Sequence, residues 1–151
     1  MATPAAERVV LDTNVLLSAT DESRTEHAEA VAAVNEWPAS GLTLYTSGQI
    51  LREYLVVATR PTDVNGLGLA MSDALANVRA LRSQLRLLGE EIKVAERLMG
   101  ILDTVRCRGK QVHDANVVAT MLVHGIDTVV TSNVDDFTRF DQYVRVSPLR
   151  R

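Results

Sequence analysis

The chain alternates short β-branched and aliphatic runs with longer stretches of helical periodicity. Val9-Val10-Leu11 is a β-branched and aliphatic run that stops at Asp12-Thr13-Asn14 and resumes as Val15-Leu16-Leu17. A run that is apolar at every residue suits a strand covered on both faces, as in a parallel sheet. The pattern predicts a buried strand over 9–11 and, directly after it, a helix running to Ala19 with Thr13 or Asn14 as N-cap. Asp21-Glu22-Ser23 reads as a loop, and Ala28 to Trp37 as a second helical segment closed by Pro38 and Gly41. Leu42 to Thr46 is a second short strand. Ser47 is placed to cap a helix over Gln49 to Thr59, whose apolar face is Ile50, Leu51, Tyr54, Leu55 and Ala58.

Pro61 to Gly68 has the composition of a turn or lid loop. Leu75, Val78, Leu81, Leu85 and Leu88 recur at helical spacing, which predicts one long amphipathic helix from Met71 to Leu88 with its stripe packed on the core. A further helix spans Glu90 to Val105, with Val94, Leu98, Ile101 and Leu102 inward. Arg106-Cys107-Arg108-Gly109-Lys110 is a basic loop leading into Gln111 to Gly125, a helix with Val112, Ala115, Val118, Ala119 and Leu122 on one stripe. Thr128 to Thr131 is a third clear strand, followed by the polar turn Ser132 to Phe137. Tyr143 to Val146 closes the chain as a short strand at a sheet edge. Strands alternating with helices predict the α/β class, a three-layer α/β/α sandwich with a mostly parallel central sheet, in a single domain over 1–151. There is no internal repeat and no low-complexity tract.

Composition narrows the function only after the pattern is in place. The 151 residues are 46% hydrophobic and 23% charged, ordinary values for a globular domain with a real core. The longest apolar run, Val117 to Val123 with a Thr inside it, is far too short to span a membrane. MATPAAER lacks the basic-then-apolar layout of a signal peptide, so a cytoplasmic location is expected. A lone cysteine, Cys107, excludes an internal disulfide framework and a cysteine-based zinc site. The net charge of −3 argues against a broad basic nucleic-acid face. The distribution of that charge weakens the argument: without Asp12, Glu53, Asp114 and Asp136, 15 acids face 16 cations. The surface is then near neutral with one acidic focus, and 14 of the cations are arginine, the better residue for bidentate phosphate contacts.

Those four acids occupy related places. Asp12 follows the first strand, Glu53 lies on the helix after the second, and Asn133 to Asp136 follow a later strand. Asp114 stands in the first turn of its helix, where the macrodipole alone favours a carboxylate. In a parallel sheet the strand ends share one rim, where open α/β folds place their ligands. Two carboxylates about 4 Å apart repel by roughly 4 kcal/mol at an effective dielectric near 20. A domain stable by about 5–15 kcal/mol does not carry several such pairs without a partner for them. A divalent cation is one such partner. Hard oxygen ligands, with no thiolate and little imidazole, favour Mg²⁺ or Mn²⁺ over Zn²⁺.

LDTNVLL, the Arg52-Glu53-Tyr54 helix, HDANVVA and TSNVDDF resemble, in order and context, the four motifs of PIN-domain ribonucleases, most closely VapC-type toxins of prokaryotic toxin–antitoxin pairs. Each motif alone is weak; the ordered set, from Val9 to Val146, is specific. The resemblance implies metal-binding and catalytic roles for Asp12, Glu53 and Asp114. At the fourth position the family commonly has Asp where this chain has Asn133, with Asp136 three residues on, so either residue can complete the site. Asn133 can ligate through its carbonyl but brings no charge. Thr13 and Thr131 are expected to support the ligands with their hydroxyls, although capping or turn roles suit both equally.

The implied function is a Mg²⁺- or Mn²⁺-dependent endoribonuclease that pairs with a cognate antitoxin and forms a homodimer. The metal, held by Asp12 and Asp114, would orient and acidify a water, with Glu53 as general base or second ligand. Arg106, Arg108 and Lys110 are expected to hold RNA phosphates unless their loop is only a solvated turn, and His113 to hydrogen-bond at the helix start rather than act as a base. A partner is expected to dock near Trp37 or on the exposed side of the Met71 to Leu88 helix. The alternative is a degenerate PIN domain that binds RNA or a protein without cutting. A haloacid-dehalogenase-like phosphatase needs an acid where Asn14 stands and does not fit. On this reading Asp12→Ala and Asp114→Ala each abolish cleavage and leave the fold intact or more stable.

Overall fold

The computed structural model describes residues 7–149. The N-terminal residues on which the reading of the chain start rests, 1–6, lie outside the described residues. Five strands form one sheet: β1 (Glu7–Leu11), β2 (Leu42–Ser47), β3 (Arg86–Leu88), β4 (Thr128–Thr131) and β5 (Arg145–Pro148). Their order is β3-β2-β1-β4-β5, and all four pairings are parallel. The helices are α1 (Thr13–Thr20), α2 (His27–Glu36), α3 (Gly48–Thr59), α4 (Met71–Arg82), α5 (Ile92–Thr104), α6 (Gln111–Val123) and α7 (Val134–Phe137).

Parallel neighbours need crossovers, and right-handed crossovers dictate the layers. From β1 the chain steps outward to β2 and β3, carrying α1 to α4 on one face. It then returns past β1 to β4 and β5, which puts α5, α6 and α7 on the other. The sheet is covered on both faces, which is why β4 is buried at every residue and β1 at its last three. The direction of travel reverses between β1 and β4, and the crevice beyond the carboxyl ends of those two strands is the ligand position of such sheets. Among the described residues no helix is long and apolar enough to cross a membrane.

Four expectations are corrected. The Met71–Leu88 helix ends at Arg82, and Arg86–Leu88 adds a strand to the edge of β2. Leu81, Leu85 and Leu88 are buried as a helical stripe would require, but Ser83 and Gln84 turn the chain between them. The cap of α1 is Asp12 itself, in extended conformation with its carboxylate accepting from the Thr13 amide, so strand end and cap are one residue. On α6, Val112 and Leu122 are only half-buried, while Val117, Thr120 and Met121 join Ala115, Val118 and Ala119 in the interior. The helix is wrapped nearly all round between the sheet and α5. The last strand begins at Arg145, two residues later than expected, and lies at the sheet edge.

Candidate active site

The register of β1 on β4 pairs Val9 with Thr128, Val10 with Val129 and Leu11 with Val130, which brings Asp12 alongside Thr131. The Thr131 hydroxyl donates to Asp12 Oδ2 at 2.9 Å. Asn14, on the first turn of α1, donates through Nδ2 to the same oxygen and to Thr131 Oγ1, each at 3.1 Å. Its Oδ1 accepts from the Ser132 amide at 2.9 Å. Asp12 Oδ1 accepts from the Thr13 amide at 2.8 Å. The two strand ends are thus stitched by side chains where the backbone ladder stops. Oδ2 takes two donors, whereas Oδ1 takes one and keeps a lone pair to spare.

Glu53 reaches the same rim from α3, which Ser47 caps by accepting from the Ile50 amide at 3.2 Å. One carboxylate oxygen accepts from the Thr13 hydroxyl at 2.9 Å and the other from Gln49 Nε2 at 3.0 Å. Asp114 stands in the first turn of α6. Asn133 lies at the N-cap position of α7 without a side-chain capping bond, its amide donating to Thr131 Oγ1 at 3.0 Å. Asp12, Glu53, Asp114, Asn133 and Asp136 all line one cleft of about 570 Å³.

The acids feel one another. Asp114 has its pKa pushed up to about 7, by burial first and then by the charges of Asp12, Asp136 and Glu53, while Arg139 works the other way. Asp12 is also raised, chiefly by burial at 9% exposure, against the opposing bonds from the Thr13 amide and the Thr131 hydroxyl. A carboxyl raised in this way by burial and like charge, inside a cleft, makes Asp114 a candidate site residue.

Sequence reasoning missed several residues here. Arg52, Gln49 and Arg139 line the cleft, as does Lys110 of the basic loop; Arg106 and Arg108 are exposed and lie outside its lining. Arg106 contributes instead a backbone carbonyl, which accepts from the Arg139 guanidinium at 3.1 Å. Arg139 also donates to Gln111 Oε1 at 3.0 Å, which fixes it beside the start of α6. Its position just past TSNVDDF was the available signal. His113 also lines the cleft, and its backbone carbonyl accepts from Gln49 at 2.8 Å.

Residues 9–143 match the family model described as PIN domain. The chain belongs to the PIN-domain family. It is 33% identical over 132 residues to Ribonuclease VapC48 of Mycobacterium tuberculosis, covering 86% of this chain and 90% of that protein. Among solved structures it resembles VapBC-1 of nontypeable Haemophilus influenzae, with a TM-score of 0.67 at 16% identity over 95% of this chain and 99% of that one. It also resembles VapC20 of Mycobacterium tuberculosis, described as a toxin that cleaves the sarcin-ricin loop, with a TM-score of 0.65 at 18% identity over 93% and 99% of the two chains. At these identities the structural matches speak for the fold, and the resemblance to VapC48 carries the family.

Proposed function

We propose that the protein is a divalent-metal-dependent endoribonuclease of the VapC toxin type. The observation that carries the reading is the convergence of Asp12, Glu53, Asp114 and Asp136 on one cleft at the β1/β4 crevice of a PIN-domain chain. The donor set suits Mg²⁺ or Mn²⁺: carboxylate and carboxamide oxygens, with no thiol lining the cleft. Among the described residues no three of these acids stand close enough together to enclose a cation by themselves. Mg²⁺ commonly keeps several waters and takes only one or two carboxylates directly, so an open arrangement is compatible with it.

Asp12 and Asp114 are the residues proposed to hold the ion, with Glu53, Asn133 and Asp136 around it. Bound there, the metal would lower the pKa of a water and neutralise charge building on the scissile phosphate. Glu53, braced on both oxygens, is the group proposed to take the proton of the attacking water. Thr131 and Asn14 keep the Asp12 carboxylate facing the crevice. Arg52, Lys110 and Arg139 line the cleft and are proposed to hold the flanking phosphates. The non-cleaving alternative has only Asn133 in its favour, and Asp136 lines the same cleft.

Pairing with an antitoxin, self-association and a cytoplasmic site of action belong to the same reading. Trp37 packs against the core as a partly buried residue, whereas Val56, Val64 and Met71 are more than half or about half exposed along α3, the following loop and the start of α4. Val56 lines the cleft as well, which favours the exposed edge that runs from α3 to the start of α4, over the Trp37 region, as the surface for a partner.

The test is cleavage of structured and single-stranded RNAs with Mn²⁺ or with chelator. Cleavage that persists in chelator would overturn the metal requirement, and metal binding without cleavage of any RNA would favour the degenerate reading. For the phosphate contacts, Arg52→Ala and Lys110→Ala should each weaken RNA binding and flatten its salt dependence by about 0.7 in logarithmic slope, the single-strand value per phosphate. Arg106→Ala and Arg108→Ala should change neither. A salt slope altered only by the latter pair would return the contact to the exposed loop.

A further inference from the structure

We propose that Gln49 is a positioning residue that fixes Glu53 and Asp114 relative to one another and so sets how tightly the cleft holds a divalent cation; this rests on the metal-dependent reading above. Gln49 is only 5% exposed, in the first turn of α3 and one turn before Glu53. A buried carboxamide must place two N–H donors and one oxygen, and all three are used. Nε2 donates to Glu53 Oε1 at 3.0 Å and to the His113 carbonyl at 2.8 Å. Oε1 accepts from Asn116 Nδ2 at 2.7 Å. The amide has one workable orientation, because reversing it would turn its oxygen onto a carboxylate and a carbonyl.

The two acceptors matter for what they carry. The His113 carbonyl belongs to the peptide unit that enters Asp114, so Gln49 grips the turn on which Asp114 is mounted. Glu53 is held in a fork, with Thr13 on one oxygen and Gln49 on the other. Helices α3 and α6 lie on opposite faces of the sheet, and this bond passes over its rim between them. Asn116 completes the tie from the α6 side and is itself braced on Glu90 Oε1 at 3.2 Å. Remove the amide, and Glu53 keeps a single hydroxyl partner while the start of α6 loses its direct bonds to α3.

The experiment measures Mn²⁺ binding to the full chain without RNA, by the electron paramagnetic resonance signal of free Mn²⁺, alongside the melting temperature of each metal-free protein. Gln49→Met keeps the bulk and removes the donors. It should weaken Mn²⁺ binding by about 10–100-fold, the range for residues that orient metal ligands, and move the melting temperature by only a few degrees. Asn116→Ala should weaken binding less and in the same direction. The double variant should bind no more weakly than Gln49→Met, because Asn116 acts through Gln49. Unchanged affinity in Gln49→Met, or losses that add in the double variant, would overturn the proposal. Should Gln49→Met fail to fold, unchanged affinity in Asn116→Ala overturns it equally. A wild-type protein that binds no Mn²⁺ sinks the metal reading and this inference together, whereas binding unaffected by the variants sinks the inference alone.

Discussion

Asp114→Asn is expected to abolish RNA cleavage while raising the melting temperature of the metal-free protein at neutral pH. Burial and three neighbouring acids push the Asp114 carboxyl up to about 7 from an ordinary value of 3.8. Between those two values the folded chain holds a proton that the unfolded chain has released. Stability therefore falls as pH rises through that window, and the full penalty is present above pH 7. The side chain is half-open to solvent, which discounts the cost to about 1–2 kcal/mol. Asparagine keeps the shape and removes the charge, so the variant should melt about 2–8 °C higher at pH 8. Its metal-free stability should also be flatter between pH 5 and 8, although the raised Asp12 carboxyl adds a slope of the same sign to both proteins. Cleavage should drop at least about 100-fold, as loss of a group acting on the reacting water or its metal requires. Calorimetry in chelator across that pH range decides the stability half. Parallel wild-type and variant curves would mean that Asp114 carries no such burden.

What the sequence made legible follows from where the signal sits. Short β-branched and aliphatic runs announced β1, β2 and β4: Val9-Val10-Leu11 is apolar throughout, and threonine is the polar residue that the runs at 42–46 and 128–131 admit. The acids were legible from their places: Asp12 ends the first apolar run, Asp114 stands in a first helical turn, Asp136 follows a strand, and Glu53 lies on the helix after β2. Strand β3 was not: Leu81, Leu85 and Leu88 stand at helical spacing, and the same three are buried whether the chain continues as helix or turns into a strand. Three residues of edge strand leave no period of their own. The Gln49 tie was half legible, since Gln49 and Glu53 stand one helical turn apart, a pairing that side chains on a helix favour. Its other half joins residues 67 positions apart and exists only once two helices meet over the rim. The cleft cations split in the same way. Lys110 was visible as part of a basic run, but Arg139 became a site residue through a carbonyl and a glutamine that the fold brings to it.

Asp12→Ala should also abolish cleavage, but with the opposite effect on the fold. Charge repulsion alone suggests that removing either acid is neutral or stabilising, and for Asp114 the surroundings agree. Asp12 has a second job. Its carboxylate caps α1 and accepts from the Thr13 amide, the Asn14 carboxamide and the Thr131 hydroxyl. Losing the cap costs about 1 kcal/mol. Donors stranded at a nearly closed site cost about 1–3 kcal/mol each where they find no new partner. Relief of a buried charge works against these losses, although the Thr13 amide and the Thr131 hydroxyl already offset part of its burial in the native protein. The losses win, and metal-free Asp12→Ala should melt several degrees below wild type at pH 7, where Asp114→Asn melts above it. Added Mn²⁺ should raise the melting temperature of wild type but of neither variant, since each lacks an acid proposed to hold the ion. An Asp12→Ala protein that melts higher, like Asp114→Asn, would show that repulsion at the crevice outweighs the hydrogen bonds that join β1 to β4.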